Sequence, residues 1–180
     1  VYSVDLVESP ILTALGLGVS ISESTPCFII DIGGGSTNIA AVSLDGVIAG
    51  VNVNMGGRNI DAMIMKHIEE YFNLKIGTLT AESVKIRIGS LFENDGTRLV
   101  VSGRDLTSGK PRSISVCSQD VIFPIKAFYD KLFEVVDIVL GKLPAEVSAE
   151  VRRSGVYFSG GSSKIPGLDV YFKEKMAIKA

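Results

Sequence analysis

The spacing of apolar residues changes along the chain, and each change marks an element. Ser9 ahead of Pro10 predicts a helix start, with Ser as cap and Pro at the first helical position, and the helix runs from Pro10 to Leu17 before Gly18. Cys27-Phe28-Ile29-Ile30-Asp31 is a short unbroken apolar run, the pattern of a strand covered on both faces. Gly33-Gly34-Gly35-Ser36-Thr37 interrupts it. Two β-rich runs follow, Asn38 to Leu44 and Val47 to Asn54, joined by the hairpin signal Asp45-Gly46. Gly56-Gly57 then leads into a helix with Ile60, Met63, Ile64, His67, Ile68 and Tyr71 on one face. A second helix spans Ala81 to Ile88, capped by Thr80 and stopped by Gly89. Arg98 to Ser102 and Arg112 to Cys117 flank the turn-rich stretch Asp105 to Pro111 as a second hairpin. The longest predicted helix runs from Gln119 to Leu140, its apolar residues stepping by three and four. Gly155 to Ser159 is a last short strand, meeting Gly160-Gly161, and Leu168 to Met176 is amphipathic.

That order predicts an α/β sheet with a small α+β insertion. Residues 1–73 and 118–180 form the larger unit, and residues 74–117 the insertion. The 180-residue length supports a sizeable core, and the balance of 46% apolar to 21% charged residues is ordinary for a globular chain. A net charge of −2 argues against a nucleic-acid partner. No apolar run reaches the roughly 18–20 residues of a membrane span. Val1 to Asp5 lack a basic leader, and the abrupt ends suggest a domain cut from a larger protein. Cys27 and Cys117 lie in apolar strand-like runs and read as reduced, buried thiols. The single His67 falls on an apolar stripe and reads as core.

Four elements carry candidate chemistry. Asp31 ends a buried strand at the glycine turn, where a carboxylate can hold Mg²⁺ through waters. Gly33, Gly34 and Gly35 allow close backbone approach to phosphate, and the Ser36 and Thr37 hydroxyls add donors. Ser159-Gly160-Gly161-Ser162-Ser163 is a second strand–turn–helix junction, the usual ligand position in open α/β sheets. Gly56-Gly57 is a third tight junction. Glu82 and Lys85 are three residues apart on one helical face and read on spacing alone as a solvated ion pair worth about 0.3 kcal/mol.

In this order, these elements resemble the actin superfamily, which also holds DnaK-type chaperones and sugar kinases, and within it the MreB family. The likeness covers nearly the whole chain. It rests on Val4-Asp5-Leu6-Val7-Glu8-Ser9-Pro10, on Asp31 to Thr37, and on Tyr71-Phe72-Asn73-Leu74-Lys75-Ile76-Gly77. It rests further on Thr80-Ala81-Glu82-Ser83-Val84-Lys85-Ile86-Arg87-Ile88-Gly89, on Ser102-Gly103-Arg104-Asp105-Leu106, and on Ser159 to Asp169. The resemblance implies an RNase-H-like, actin-type nucleotide lobe with a smaller cap, an ATP/ADP ligand with Mg²⁺, and self-assembly into filaments. It implies that Asp31 organises Mg²⁺, that Gly33 to Thr37 hold the β- and γ-phosphates, that Glu82 and Lys85 contact the adenosine, and that Gly160 to Ser163 line the adenine and α-phosphate side. It implies a cytoplasmic protein at the inner face of the membrane, with cell-shape and wall-synthesis partners. Membrane contact and the family's first phosphate loop would belong to an N-terminal lobe outside this chain, so the chain alone is expected to bind ATP weakly.

The departures bear on catalysis. Where the family has a Glu that positions the attacking water, this chain has Ser9, which is no general base at neutral pH. Glu8 is a poor substitute if neighbouring strand residues face opposite ways. Asn38 stands for a Glu, Arg58 for an Asp, and Ser162 for a Gly, the last costing about 1 kcal/mol if its φ must be positive. The expectation is nucleotide binding with hydrolysis weakened or lost. Alternatives on the same fold are a chaperone-type or regulatory ATPase and a non-hydrolysing scaffold.

Overall fold

A computed structural model describes residues 6–19, 25–44, 46–92 and 96–180. In chain order the elements are α1 (Ser9–Gly16), β1 (Cys27–Ile32), β2 (Thr37–Ser43), β3 (Gly46–Val53), α2 (Gly57–Phe72), β4 (Leu74–Lys75) and α3 (Thr78–Ile88). They continue with β5 (Arg98–Asp105), β6 (Pro111–Cys117), α4 (Ser118–Gly141), α5 (Ala145–Ser154), β7 (Val156–Ser159), a 3₁₀ turn (Gly161–Lys164) and α6 (Leu168–Met176).

Two sheets organise these elements. The first has the order β3-β2-β1-β7, antiparallel except that β7 runs parallel to β1. The second, β4-β5-β6, is antiparallel throughout. β1 explains the unbroken apolar run. Phe28, Ile30 and Ile32 join the large core shared with α2 and α4, while Cys27 and Ile29 pack with Ala14 of α1 on the other face. Both faces are covered, so alternation disappears.

Parallel pairing of β1 with β7 matters most for function. Asp31 is in register with Ser159, so the chain leaves both strands at the same end of the sheet. The two glycine turns are therefore neighbours although well over a hundred residues separate them.

Several local expectations change. Glu8, not Ser9, is the N-cap of α1, with extended φ −64° and ψ 133°, and Ser9 is the first helical residue. Proline is tolerated anywhere in the first turn because its missing N–H would be unpaired there. α3 begins at Thr78 behind Gly77, and the Ala81 N–H to Gly77 carbonyl bond closes its first turn, so Thr80 is not a cap. α5 and the short β4 add to the predicted elements. Val4, Asp5 and Asp45 lie outside the described residues. The buried stripe of α2 is narrower than predicted: Gly57, Ile60, Asp61, Ile64 and Ile68. His67 sits at its border and stacks at 4.3 Å on Tyr71, which is 75% exposed. Cys27 is buried as expected, whereas Cys117 is partly buried and caps α4.

Candidate functional site

The first glycine turn is built by backbone bonds that consume its carbonyls. Gly33 N–H donates to the Ser36 carbonyl at 2.9 Å, Gly57 N–H to the Gly33 carbonyl at 2.9 Å, and Arg58 N–H to the Gly34 carbonyl at 2.8 Å. The start of α2 is thereby stapled to the turn. The N–H groups of Gly34, Gly35 and Ser36 donate to no backbone or side-chain acceptor among the described residues. Successive free amides at a turn form a concavity suited to an anion.

Close packing explains which glycines are needed. A Cβ on Gly56 would lie 2.7 Å from the Gly33 oxygen and 2.9 Å from the Gly34 oxygen. One on Gly57 would lie 2.9 Å from Ser162 Oγ and 3.1 Å from Lys85 Nζ. Gly160 holds φ +86°, and its Cβ would overlap the Ile32 carbonyl. Gly33, Gly34, Gly56, Gly57, Gly160, Ser162 and Lys85 thus converge on one region. Ser162 lies in the 3₁₀ turn and has no positive φ, so the strain considered for a serine there does not arise.

Lys85 is not the solvated partner of Glu82. Its Nζ lies 2.8 Å from Asp61 Oδ1, with both side chains only 10% exposed, and donates to the Gly57 carbonyl at 3.1 Å. The reason is geometric. α2 and α3 pack together, and Asp61 lies on the buried stripe of α2 facing them. Glu82 is exposed, and the bonds that build the turns do not involve it.

Beside this pair is a cavity of about 290 Å³ lined by Lys85, Ile86, Gly161, Ser162, Lys164, Ile165 and Pro166. Its wall is mostly apolar, with Lys85, Ser162 and Lys164 as its polar side chains, as suits a heterocycle. Two supporting residues escape sequence reasoning. Tyr129 donates its buried hydroxyl to the Ser162 carbonyl at 2.6 Å, and burial pushes its phenol well above the ordinary value, so it stays a neutral donor. Asp61 fixes Lys85. The only sequence signal for either is a polar atom on an otherwise apolar helical stripe.

Other candidates lie apart or are already engaged. Thr37 is buried in β2 and donates its hydroxyl to the Met55 carbonyl at 2.6 Å, so that group is not available to phosphate. Ser163 Oγ donates to the Gly160 carbonyl at 2.7 Å, tightening the second turn. Ser36 and Asp31 are half-buried at the first turn. Asp31 pairs in register with Asn38, which pairs with Asn52, and Asn52 Nδ2 donates to Asn38 Oδ1 at 2.6 Å. Ser9 is exposed at the start of α1, and its neighbours Glu8 and Pro10 line a cavity of about 220 Å³ with Asn38 and Asn52. Glu8 is therefore not turned away by strand alternation, because residues 8 and 9 begin a helix.

The residues fit a nucleotide: free amides for phosphate, glycines where a Cβ would intrude, a cation, and a mostly apolar cavity alongside. For a metal the fit is partial. No group of three or more His, Cys, Asp or Glu suited to holding a metal occurs among the described residues. Mg²⁺ here would take most of its oxygen ligands from phosphate and water, with Asp31 as the protein carboxylate.

The family described as MreB/Mbl protein matches residues 2–180. The cell shape-determining protein Mbl of Bacillus cereus is 32% identical over 98% of this chain and 53% of its own length. The cell shape-determining protein MreB of Escherichia coli is 32% identical over 96% of this chain and 50% of its own. Among solved structures, MreB5 of Spiroplasma citri bound to AMPPNP superposes with a TM-score of 0.91 at 30% identity, covering 94% of this chain and 51% of that one. The same protein has been solved bound to ADP. A double helical filament of MamK gives a TM-score of 0.73 at 26% identity, over 93% of this chain and 50% of that one. The chain spans about half the length of the curated relatives it matches.

Proposed function

The chain belongs to the MreB/Mbl family and carries the actin-type ATPase fold, and from that premise we propose that it is the nucleotide-gripping half of a filament-forming protein of cell-shape maintenance. The observation that carries this reading is the meeting of the Gly33–Ser36 turn, Gly56-Gly57 and the Gly160–Ser162 turn beside Lys85. ATP or ADP is the ligand. The Gly34, Gly35 and Ser36 amides take the phosphates, Lys85 and Ser162 stand where phosphate gives way to nucleoside, and the cavity beside Ile86 and Pro166 takes the base. Mg²⁺ supplies charge neutralisation, with Asp31 orienting its waters. Residues 1–73 and 118–180 act as one lobe and 74–117 as its cap, with α2, α3 and the Asp61–Lys85 pair joining them.

Copies of the protein are the principal partner, because MamK, a structural relative, has been solved as a double helical filament. Cell-shape and wall-synthesis proteins at the inner face of the cell membrane are the further partners, in a cytoplasmic setting. Membrane contact is assigned to the half of the protein outside this chain. Among the described residues no helix is long and apolar enough to cross a membrane.

Hydrolysis is weak. Activating a water needs a group that accepts a proton near neutral pH, and the Ser9 hydroxyl does not. A second reading, a scaffold that polymerises without turnover, is favoured by that same residue. Sedimentation of the whole protein with ATP, with ADP and without nucleotide separates the two. Polymer that depends on nucleotide supports the first reading, and polymer indifferent to it supports the scaffold. Absence of polymer in every condition rejects both and favours a chaperone-type switch. Ser9→Glu in the whole protein is expected to raise phosphate release about a hundredfold, the low end of what a positioned general base contributes. An unchanged rate would place the defect elsewhere.

A further inference from the structure

The side chain of Arg58 stands at the first glycine turn and has no part in the arrangement described above. It is the second residue of α2, and its N–H bond to the Gly34 carbonyl at 2.8 Å fixes its backbone to the turn. Its Nη1 lies 3.9 Å from the point a Cβ on Gly35 would occupy, so the guanidinium stands over the tip that carries the free amides. The side chain is exposed and forms no ion pair among the described residues. Of the other cations close to these turns, Lys85 is neutralised by Asp61, and Lys164 ends the second turn, where it lines the cavity assigned to the base. Among the described residues, the cation without an ion pair at the first glycine turn is thus Arg58.

We infer that Arg58 is a direct ligand of the terminal phosphates of a bound nucleoside di- or triphosphate, allowing the site to hold them without a metal ion. This rests on the nucleotide reading of the same site. A guanidinium offers a planar pair of N–H donors that matches two phosphate oxygens, and such charge-assisted bonds are about twice as strong as neutral ones. With Nη1 near Gly35, it would meet the anion alongside the Gly34–Ser36 amides. The two sets of donors together hold the end of the phosphate chain, and Asp31 remains beside it for a metal when one is present. Specificity follows from position. Arg58 acts on the terminal phosphates and is distant in role from the base cavity, so it raises affinity for polyphosphates and leaves adenosine unaffected.

The test is an amide NMR titration of the chain with tripolyphosphate, ATP and adenosine, each in EDTA, on the wild type, Arg58→Ala and Arg58→Lys. In the wild type, tripolyphosphate and ATP are expected to shift the amides of residues 33–37. Arg58→Ala is expected to weaken both about tenfold, Arg58→Lys less, since it keeps the charge without the fork. Adenosine binding is expected to match in all three. Arg58 is exposed, so an unchanged spectrum without ligand verifies that the variants fold. Wild-type binding of ATP with Arg58→Ala indistinguishable from it would overturn the Arg58 proposal and leave the nucleotide site standing. The proposal is overturned equally if tripolyphosphate moves the turn only when Mg²⁺ is added. If ATP shifts neither residues 33–37 nor 160–163 under any condition, the nucleotide reading fails and the Arg58 proposal fails with it.

Discussion

Gly160→Ala is expected to destabilise the chain by about 3 kcal/mol or more, the sum of a backbone conformation that strains any L side chain and a steric overlap. Gly160 sits at φ +86° and ψ 167°, a region essentially reserved for glycine. The second cost is independent of the first. A Cβ there would lie 2.6 Å from the Ile32 carbonyl carbon and 2.9 Å from the Ile32 nitrogen, and neither atom belongs to a side chain that can swing aside. Ile32 ends β1, in the strand beside β7, so relief would require the two parallel strands to part at the end where both glycine turns emerge. Against a typical total of about 5–15 kcal/mol, the loss leaves a marginal protein. Gly161→Ala is the control, because nothing lies within 4 Å of its would-be Cβ. Urea unfolding should show a much lower midpoint for the first variant with a similar slope, and a near-wild-type midpoint for the second. Equal midpoints for the two would mean that β1 and the second turn are not apposed as described.

How much of this was legible in the sequence depends on the range of the signal. The β1 run was legible because complete burial on two faces removes alternation, a local consequence of a global position. Both glycine turns were legible as turns, and their convergence was legible only through the likeness to a family, because parallel pairing of β1 with β7 is a non-local fact. The small second sheet was half visible: the β5–β6 hairpin has its own turn signal, but two-residue β4 has too little length to carry a pattern. Helix starts slipped by one to three residues at Ser9 and Thr80, since a first turn accepts several capping arrangements. Lys85 is the clearest case. Its spacing to Glu82 suggested a surface pair on one helix, while its partner, Asp61, belongs to another helix and was hidden among isoleucines. Side-chain partners across elements are decided by packing, and periodicity within an element does not report them.

That pair yields the second large effect. Lys85→Met is expected to cost about 3–5 kcal/mol, because removing one member of a buried ion pair leaves the other charge uncompensated away from water. Asp61 is 7% exposed, and the cation at 2.8 Å is its one close partner among the described residues. Such a loss alone cannot separate a structural lysine from a nucleotide-binding one, since a loosened α2–α3 contact also moves Gly57 and the turn stapled to it. The double variant Asp61→Leu/Lys85→Met separates them. Replacing both charges by apolar side chains of similar shape removes the stranded carboxylate, and buried pairs exchanged for apolar side chains are often neutral or stabilising. Most of the stability is therefore expected to return, with a coupling energy of about 2 kcal/mol or more in the cycle. ATP binding is expected to stay impaired, because Nζ stands 3.1 Å from the space above Gly57 where phosphate and nucleoside would meet. Unfolding midpoints and an ATP titration on the same four proteins give both readouts. A double variant that regains stability and ATP affinity together would reduce Lys85 to a strut between two helices, and the grip on nucleotide would then have to come from the glycine amides and Arg58 alone.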